Sequence, residues 1–197
     1  MLNQVGREIP DEILTQYGKK GFQGSYYRNN NKYRKAAPTI CGVVEPNENK
    51  MVSSIREVLE KCNIKDGMVL SFHHHFRDGD KIVNMVMEEV AKMGVKDITI
   101  CASSLGSAHD PVAELIEKGV VTGIQTSGVR GNIGEAISHG KLKNPAIIRS
   151  HGGRVRAIEE GDVHIDIAFI GAPTSDEYGN ARGVGGKSDC GVLSYAM

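Results

Sequence analysis

Apolar residues in this chain fall into two alternating patterns, short unbroken runs and longer stretches at helical spacing. Met68, Val69 and Leu70 form a run that suits a buried strand, and Ile82, Val83, Val86, Val90 and Met93 then recur on one side of a helix. The same succession repeats down the chain. A strand is expected over 97–101, then a helix that Asp110 and Pro111 open and Gly119 closes. A third strand follows over 120–124, a short helix over 134–139, a strand over 146–149, a helix running to about Glu160 and a strand over 165–170. Ahead of the first strand, Val52, Ile55, Val58, Leu59 and Cys62 keep helical spacing behind Asn49, a candidate N-cap. Parallel strands need a crossover of a dozen or more residues, usually a helix. Regular alternation with short connections therefore predicts an α/β fold with a mostly parallel sheet.

Residues 1–48 read differently. Over 18–35 they are basic and Asn-rich with scattered tyrosines, and Pro38 and Pro46 flank a short apolar stretch at 40–44 that suits an edge strand. We read 1–48 as an arm that lies on another subunit or on the rest of this one, and 49–197 as the α/β domain. The last residues, 190–197, read as the beginning of a strand, so the domain is expected to continue into a second half.

Composition narrows the function. Lys plus Arg and Asp plus Glu both number 24, so no bulk charge favours nucleic acid or an anionic membrane. Glycine, at 24 residues, exceeds the usual share of about 7% and fits tight, backbone-lined loops. The four cysteines form no CxxC pair and no zinc spacing. No signal peptide is visible and no apolar run approaches the roughly 20 residues that span a bilayer, so a reducing cytoplasm is expected.

The chemistry-bearing residues gather where strands end. In open parallel sheets ligands bind outside the carboxyl ends of the strands. The first strand exits into His73, His74, His75 and Arg77; the third into Ser127, Gly128, Arg130 and Gly131; the fourth into Ser150, His151, Gly152, Gly153 and Arg154. Backbone N–H groups in Gly-rich turns at helix starts attract anions. Three such clusters on one rim imply an anionic ligand, a carboxylate or a phosphate. Only His73 and His75 could share a face of an extended chain, without a carboxylate at ligand spacing, so no metal site is expected. There is no GxSxG, and Ser103, Ser104, Ser127 and Ser150 follow no triad order, so no catalytic residue can be named. Asp176 and Asn180 either contact a substrate or hold their own loop.

Four segments carry a family resemblance: SFHHHFRDGDKIVNMVMEEV, TGIQTSGVRGNIGEAISHGKL, RSHGGRVRAIEEG with HIDIAFIGAPTSDEYGNARG, and the opening VGREIP. Together, over residues 5–197, they resemble the citrate lyase alpha subunit, a citrate CoA-transferase. The Asp176–Asn180 stretch is also similar to the D-E-x-G-N turn of CoA transferases. The resemblance implies a three-layer, Rossmann-like fold of the kind that CoA transferases and ribose-5-phosphate isomerase share. It implies exchange of the acetyl group on an acyl-carrier thioester for citrate, giving citryl-thioester and acetate through a ternary complex. Implied partners are a beta (lyase) subunit and a gamma (acyl-carrier) subunit with a CoA-derived phosphoribosyl-dephospho-CoA arm, within an oligomer. His73, His75, Arg77, Ser127, Gly128, Arg130, Gly131, Ser150, His151, Gly152, Gly153, Arg154, Asp176 and Asn180 are then candidate substrate contacts. Two other readings stay open: a non-catalytic docking module of the same complex, and a phosphosugar-binding or isomerase protein of the same fold.

Overall fold

The structure, a computed structural model, describes residues 1–2, 6–16, 18, 47–73, 81–187 and 189–191. The chain divides into two compact units, Met1–Arg34 and Lys35–Met197. In the first, α1 (Asp11–Gln16) follows Pro10, and the Met1 ammonium holds Ile9 O at 2.9 Å and Asp11 Oδ1 at 3.0 Å. The hydropathy pattern did not mark this helix, because six residues without a buried side chain leave no apolar period.

The second unit contains the expected alternation. It runs α2 (Ile55–Lys61), β1 (Val69–His73), α3 (Ile82–Lys92), β2 (Ile98–Ala102), a 3₁₀ turn at Ser107–His109, α4 (Val112–Glu117) and β3 (Val121–Thr126). It continues with α5 (Gly131–Ser138), β4 (Ile147–Ile148), α6 (His151–Glu159), β5 (Ile167–Ile170) and a hairpin of β6 (Thr174–Ser175) and β7 (Ala181–Arg182). β1 to β5 form one parallel sheet in the order β4-β3-β2-β1-β5.

That order sets the layers. From β1 to β4 the chain steps outward in one direction, and right-handed crossovers keep the intervening helices on one face. α6 then carries the chain back to place β5 beside β1, and reversing direction with the same hand puts α6 on the opposite face. The cores agree. Leu59, Leu70, Phe72, Val83, Val86, Met87, Val90, Ile98, Ile100, Ala102, Ile124 and Ile133 belong to one buried cluster on the α2–α5 side. On the α6 side the buried cluster among the described residues is Cys101, Ala157 and Val163, with Val69, Ile158 and Ile165 packed at its margin. Phe72 and Phe169, register partners on β1 and β5, stack with centroids 5.3 Å apart.

Two helix starts differ from the expectation. α2 is capped by Ser54, whose Oγ accepts from Glu57 N at 3.2 Å, while Asn49 accepts from Met51 N at 2.8 Å in a local turn. Both residue types cap well, and spacing alone did not separate them. Asp110 does not cap its own helix. The 3₁₀ turn before it leaves Asp110 already helical, at φ −50° and ψ −33°, whereas an N-cap is extended. Its carboxylate instead receives Asn132 N, on the first turn of α5, at 2.7 Å. Gly131 makes this approach possible: its φ is +71°, and a Cβ there would lie 2.3 Å from Asp110 Oδ1. Gly94 and Gly119 close α3 and α4 as expected, both at positive φ. The edge strand expected at 40–44, the arm from 19 to 35 and the apolar residues 192–197 lie outside the described residues.

The Asp110–Gly131 contact should show as non-additive stability. Gly131→Ala is expected to lose about 1–3 kcal/mol through backbone strain and the clash. Asp110→Ala should lose about 1 kcal/mol as a missing cap. The double variant should lose less than the sum, because alanine at 110 removes the clash. Urea unfolding midpoints measure all three.

Candidate functional site

β1 and β5 flank the point where strand order reverses, and the crevice outside their carboxyl ends is where an open α/β sheet binds ligands. His73 closes β1 opposite Ile170 of β5. Side chains alternate along a strand, so register fixes which residues share a face. On the α6 face one rung reads Ala168, Ser71, Cys101, Gln125 and Ile147. Two residues further along each strand, the last rung reads Ile170, His73, Ser103, Ser127 and Arg149. The pairing does continue that far. Ser127 N donates to Ser103 O at 3.1 Å and Arg149 N to Thr126 O at 2.8 Å, while Leu105 and Val129 form a further parallel bridge. A polar row therefore crosses the carboxyl edge under α6.

Arg154 of α6 is pressed onto this row and is only 6% exposed. Its Nη1 donates to Ser103 Oγ at 3.1 Å, and its Nη2 donates to Ser71 Oγ at 2.8 Å and Cys101 O at 3.1 Å. His73 Nδ1 lies 3.0 Å from Ser103 Oγ. Burial holds the Cys101 thiol above its ordinary value, and the nearby Arg154 charge only partly opposes this. Cys101 is thus a protonated packing residue, not a nucleophile. Arg149 Nη1 donates to Gln125 Oε1, and no carboxylate among the described residues pairs with it.

The sequence-predicted rim residues separate on this geometry. Arg130, His151 and Arg154 all follow carboxyl ends of parallel strands, so they share an edge. Their side chains do not share a role, because Arg154 turns inward while Arg130 and His151 are exposed. The glycine-rich turn of Ser127, Gly128, Arg130 and Gly131 is largely committed. Ser127 Oγ donates to Ser103 O, Gly128 N to Thr126 Oγ1 at 3.3 Å and Arg130 N to Leu105 O at 3.1 Å. Asp110 takes the Asn132 N–H, where an anion at the start of α5 would sit. At α6, Ser150 Oγ accepts from Gly153 N at 3.0 Å, and His151 and Gly152 stand exposed on the first turn. His74, His75 and Arg77 lie outside the described residues.

Asp176 and Asn180 bind each other. The Asp176 carboxylate accepts from Asn180 Nδ2 at 2.8 Å, Asn180 N at 2.9 Å and Tyr178 N at 3.0 Å, closing the turn between β6 and β7. The Asn180 side chain, its backbone N–H and then that of Tyr178 hold this carboxyl below its usual range. Ser71, Ser103 and Arg149 are the site-edge residues that sequence reasoning missed. A serine inside the apolar run of β1, and another just past the apolar run of β2, were the available signals.

Comparison with known proteins adds the family. Residues 48–197 match the family described as citrate lyase, alpha subunit (CitF). The citrate lyase alpha chain of Klebsiella pneumoniae is 48% identical over 160 residues, which cover 81% of this chain and 32% of that protein. That of Haemophilus influenzae is 50% identical over 149 residues, covering 76% and 30%. The chain thus spans about a third of the length of these curated relatives. A solved Streptococcus mutans structure, described as the alpha subunit of citrate lyase in complex with citrate, superposes with a TM-score of 0.80 at 51% identity. It covers 98% of this chain, which covers 37% of it.

Arg154→Met should lose at least about 2 kcal/mol, since each buried acceptor left dry costs about 1–3 kcal/mol. Arg130→Met, on the surface, should stay within about 0.5 kcal/mol of the parent; urea unfolding compares the two. Asp176 sets a pH dependence of the β6–β7 turn. Its folded pKa lies below the ordinary 3.8, so the turn's gain from ionised Asp176 is full above about pH 4. That gain disappears as pH falls through the lowered value. The Tyr178 and Asn180 amide resonances should report a midpoint below the ordinary one, and Asp176→Asn should flatten the curve.

Proposed function

The chain belongs to the citrate lyase alpha subunit family, and from that premise we propose that it contributes part of a citrate CoA-transferase. The whole protein would exchange the acetyl group of an acetyl-thioester on an acyl-carrier (gamma) subunit for citrate. Citryl-thioester and acetate leave, and a beta subunit cleaves the citryl group. In atoms, a citrate carboxylate oxygen attacks the acetyl carbonyl and the carrier thiolate departs. The thiolate then attacks the citryl carbonyl of the mixed anhydride and releases acetate. The CoA-derived arm arrives on the carrier as part of the substrate. Among the described residues no helix is long and apolar enough to cross a membrane, in keeping with work in the cytoplasm.

One observation carries this reading: a relative described with citrate shares 51% identity and the fold over 98% of this chain. The local chemistry supports it. Both attack steps develop charge on a carbonyl oxygen, and fixed N–H donors lower such barriers. The exposed first turn of α6, with His151 and Gly152, offers donors for a carboxylate. Arg149, one residue before the Ser150 cap, adds a guanidinium suited to carboxylate. The start of α5 does not serve the arm's phosphates, because Asp110 fills it.

Isothermal titration of the 197-residue chain with citrate tests the substrate class. Citrate is expected to bind more tightly than acetate, and a sugar phosphate not at all; sugar-phosphate binding without citrate binding would overturn the reading. Acetyl-to-citryl exchange should be low for this chain alone. It should rise by orders of magnitude when the remaining length of a family member is supplied, since each preorganised donor contributes about 10²–10³.

A further inference from the structure

Ser103 joins two side chains of unlike capacity. A guanidinium can only donate, and Arg154 Nη1 gives its proton to Ser103 Oγ at 3.1 Å. His73 Nδ1 lies 3.0 Å from the same oxygen, and a neutral imidazole nitrogen either donates or accepts there. A hydroxyl has one proton and two lone pairs. A cation on one lone pair polarises the oxygen, making it a poorer acceptor of a second N–H and a better donor of its own proton. Ser103 is 7% exposed and Arg154 6%, so water does little to relieve that polarisation. The other arm of the fork is occupied on Ser71 Oγ at 2.8 Å and Cys101 O at 3.1 Å, so the guanidinium is fixed in this direction.

We propose that Ser103 donates to His73 Nδ1, so that Arg154 and Ser103 are positioning residues holding His73 as the neutral Nε2–H tautomer. His73 stands at the end of β1, beside the strand-order reversal. Nε2 is buried in this structure, and a ligand that reaches it would meet a donor and not a base. A neutral imidazole can stabilise a developing oxyanion in that role without transferring its proton. Nδ1 is also taken from metal ligation. The tautomer stands on the contacts above; that the ligand oxygen belongs to citrate or its acyl adducts rests on the function proposed in the preceding section.

Long-range ¹H–¹⁵N correlation of the histidine rings in the 197-residue chain reads the tautomer directly. At about pH 8, where ordinary imidazoles are neutral, Nε2 of His73 should show the protonated shift and Nδ1 the unprotonated one. His73→Gln assigns the signals by their loss. Ser103→Ala should move both nitrogens toward the averaged shifts of exchanging tautomers, and Ser103→Thr, which keeps the hydroxyl, should restore the parent pattern. A protonated Nδ1 in the parent chain would overturn the proposal, whatever the variants do. So would a Ser103→Ala spectrum with the tautomer unchanged; should that variant not fold, the parent spectrum decides alone. Added citrate should shift Nε2. An unmoved Nε2 with the tautomer intact would count against citrate as the ligand and leave the relay standing.

Discussion

The fork of Arg154 is what allows α6 to lie against its face of the sheet. Among the described residues that face buries few hydrophobics, Cys101, Ala157 and Val163, against the large cluster on the other side. Burying a guanidinium is unfavourable by several kcal/mol unless its N–H groups find acceptors. Here Ser71, Ser103 and the Cys101 carbonyl supply them from two neighbouring strands. The fork therefore ties β1, β2 and α6 together at the edge where the site lies. Serine in the middle of β1, where a buried parallel strand would ordinarily have an aliphatic residue, is explained by what sits above it.

Most of the architecture was readable from hydropathy, because the two periods are physically distinct and the connections between them short. The family was readable too, from segments that lie mainly at strand exits, and the match over 48–197 agrees with it. What the exits could not reveal was direction. A residue's position after a strand places its main chain on the carboxyl edge, but Arg130 and Arg154 look alike in sequence and differ entirely in surroundings. Register was the missing information: only when β1, β2 and β3 are aligned do His73, Ser103 and Ser127 fall into one row.

Capping signals failed in an instructive way. Asp110 followed by proline is a strong local start signal, yet its carboxylate serves a helix 22 residues further along. Local propensity identified the residue as a capper and tertiary contact chose the helix. The Asp176–Asn180 stretch left open a turn or a contact, and the mutual hydrogen bonds describe the turn. Six-residue α1 was invisible because nothing on it is buried.

The reversal of strand order has a consequence in time. β1 is made early, but its second neighbour, β5, pairs with it only after the four-strand excursion is complete. Val69 N and Asp166 Oδ2, 2.7 Å apart in the folded chain, are separated by 97 residues. Contacts of such sequence separation are slow to form, because loop closure must precede any gain from pairing. β1 to β4 can collapse around the larger core while α6 and β5 are still unplaced. Arg154 arrives with α6, and the polar row at the carboxyl edge is ordered only then. The chemistry of this edge thus waits for α6 and β5, and no nascent chain that stops short of them can hold it.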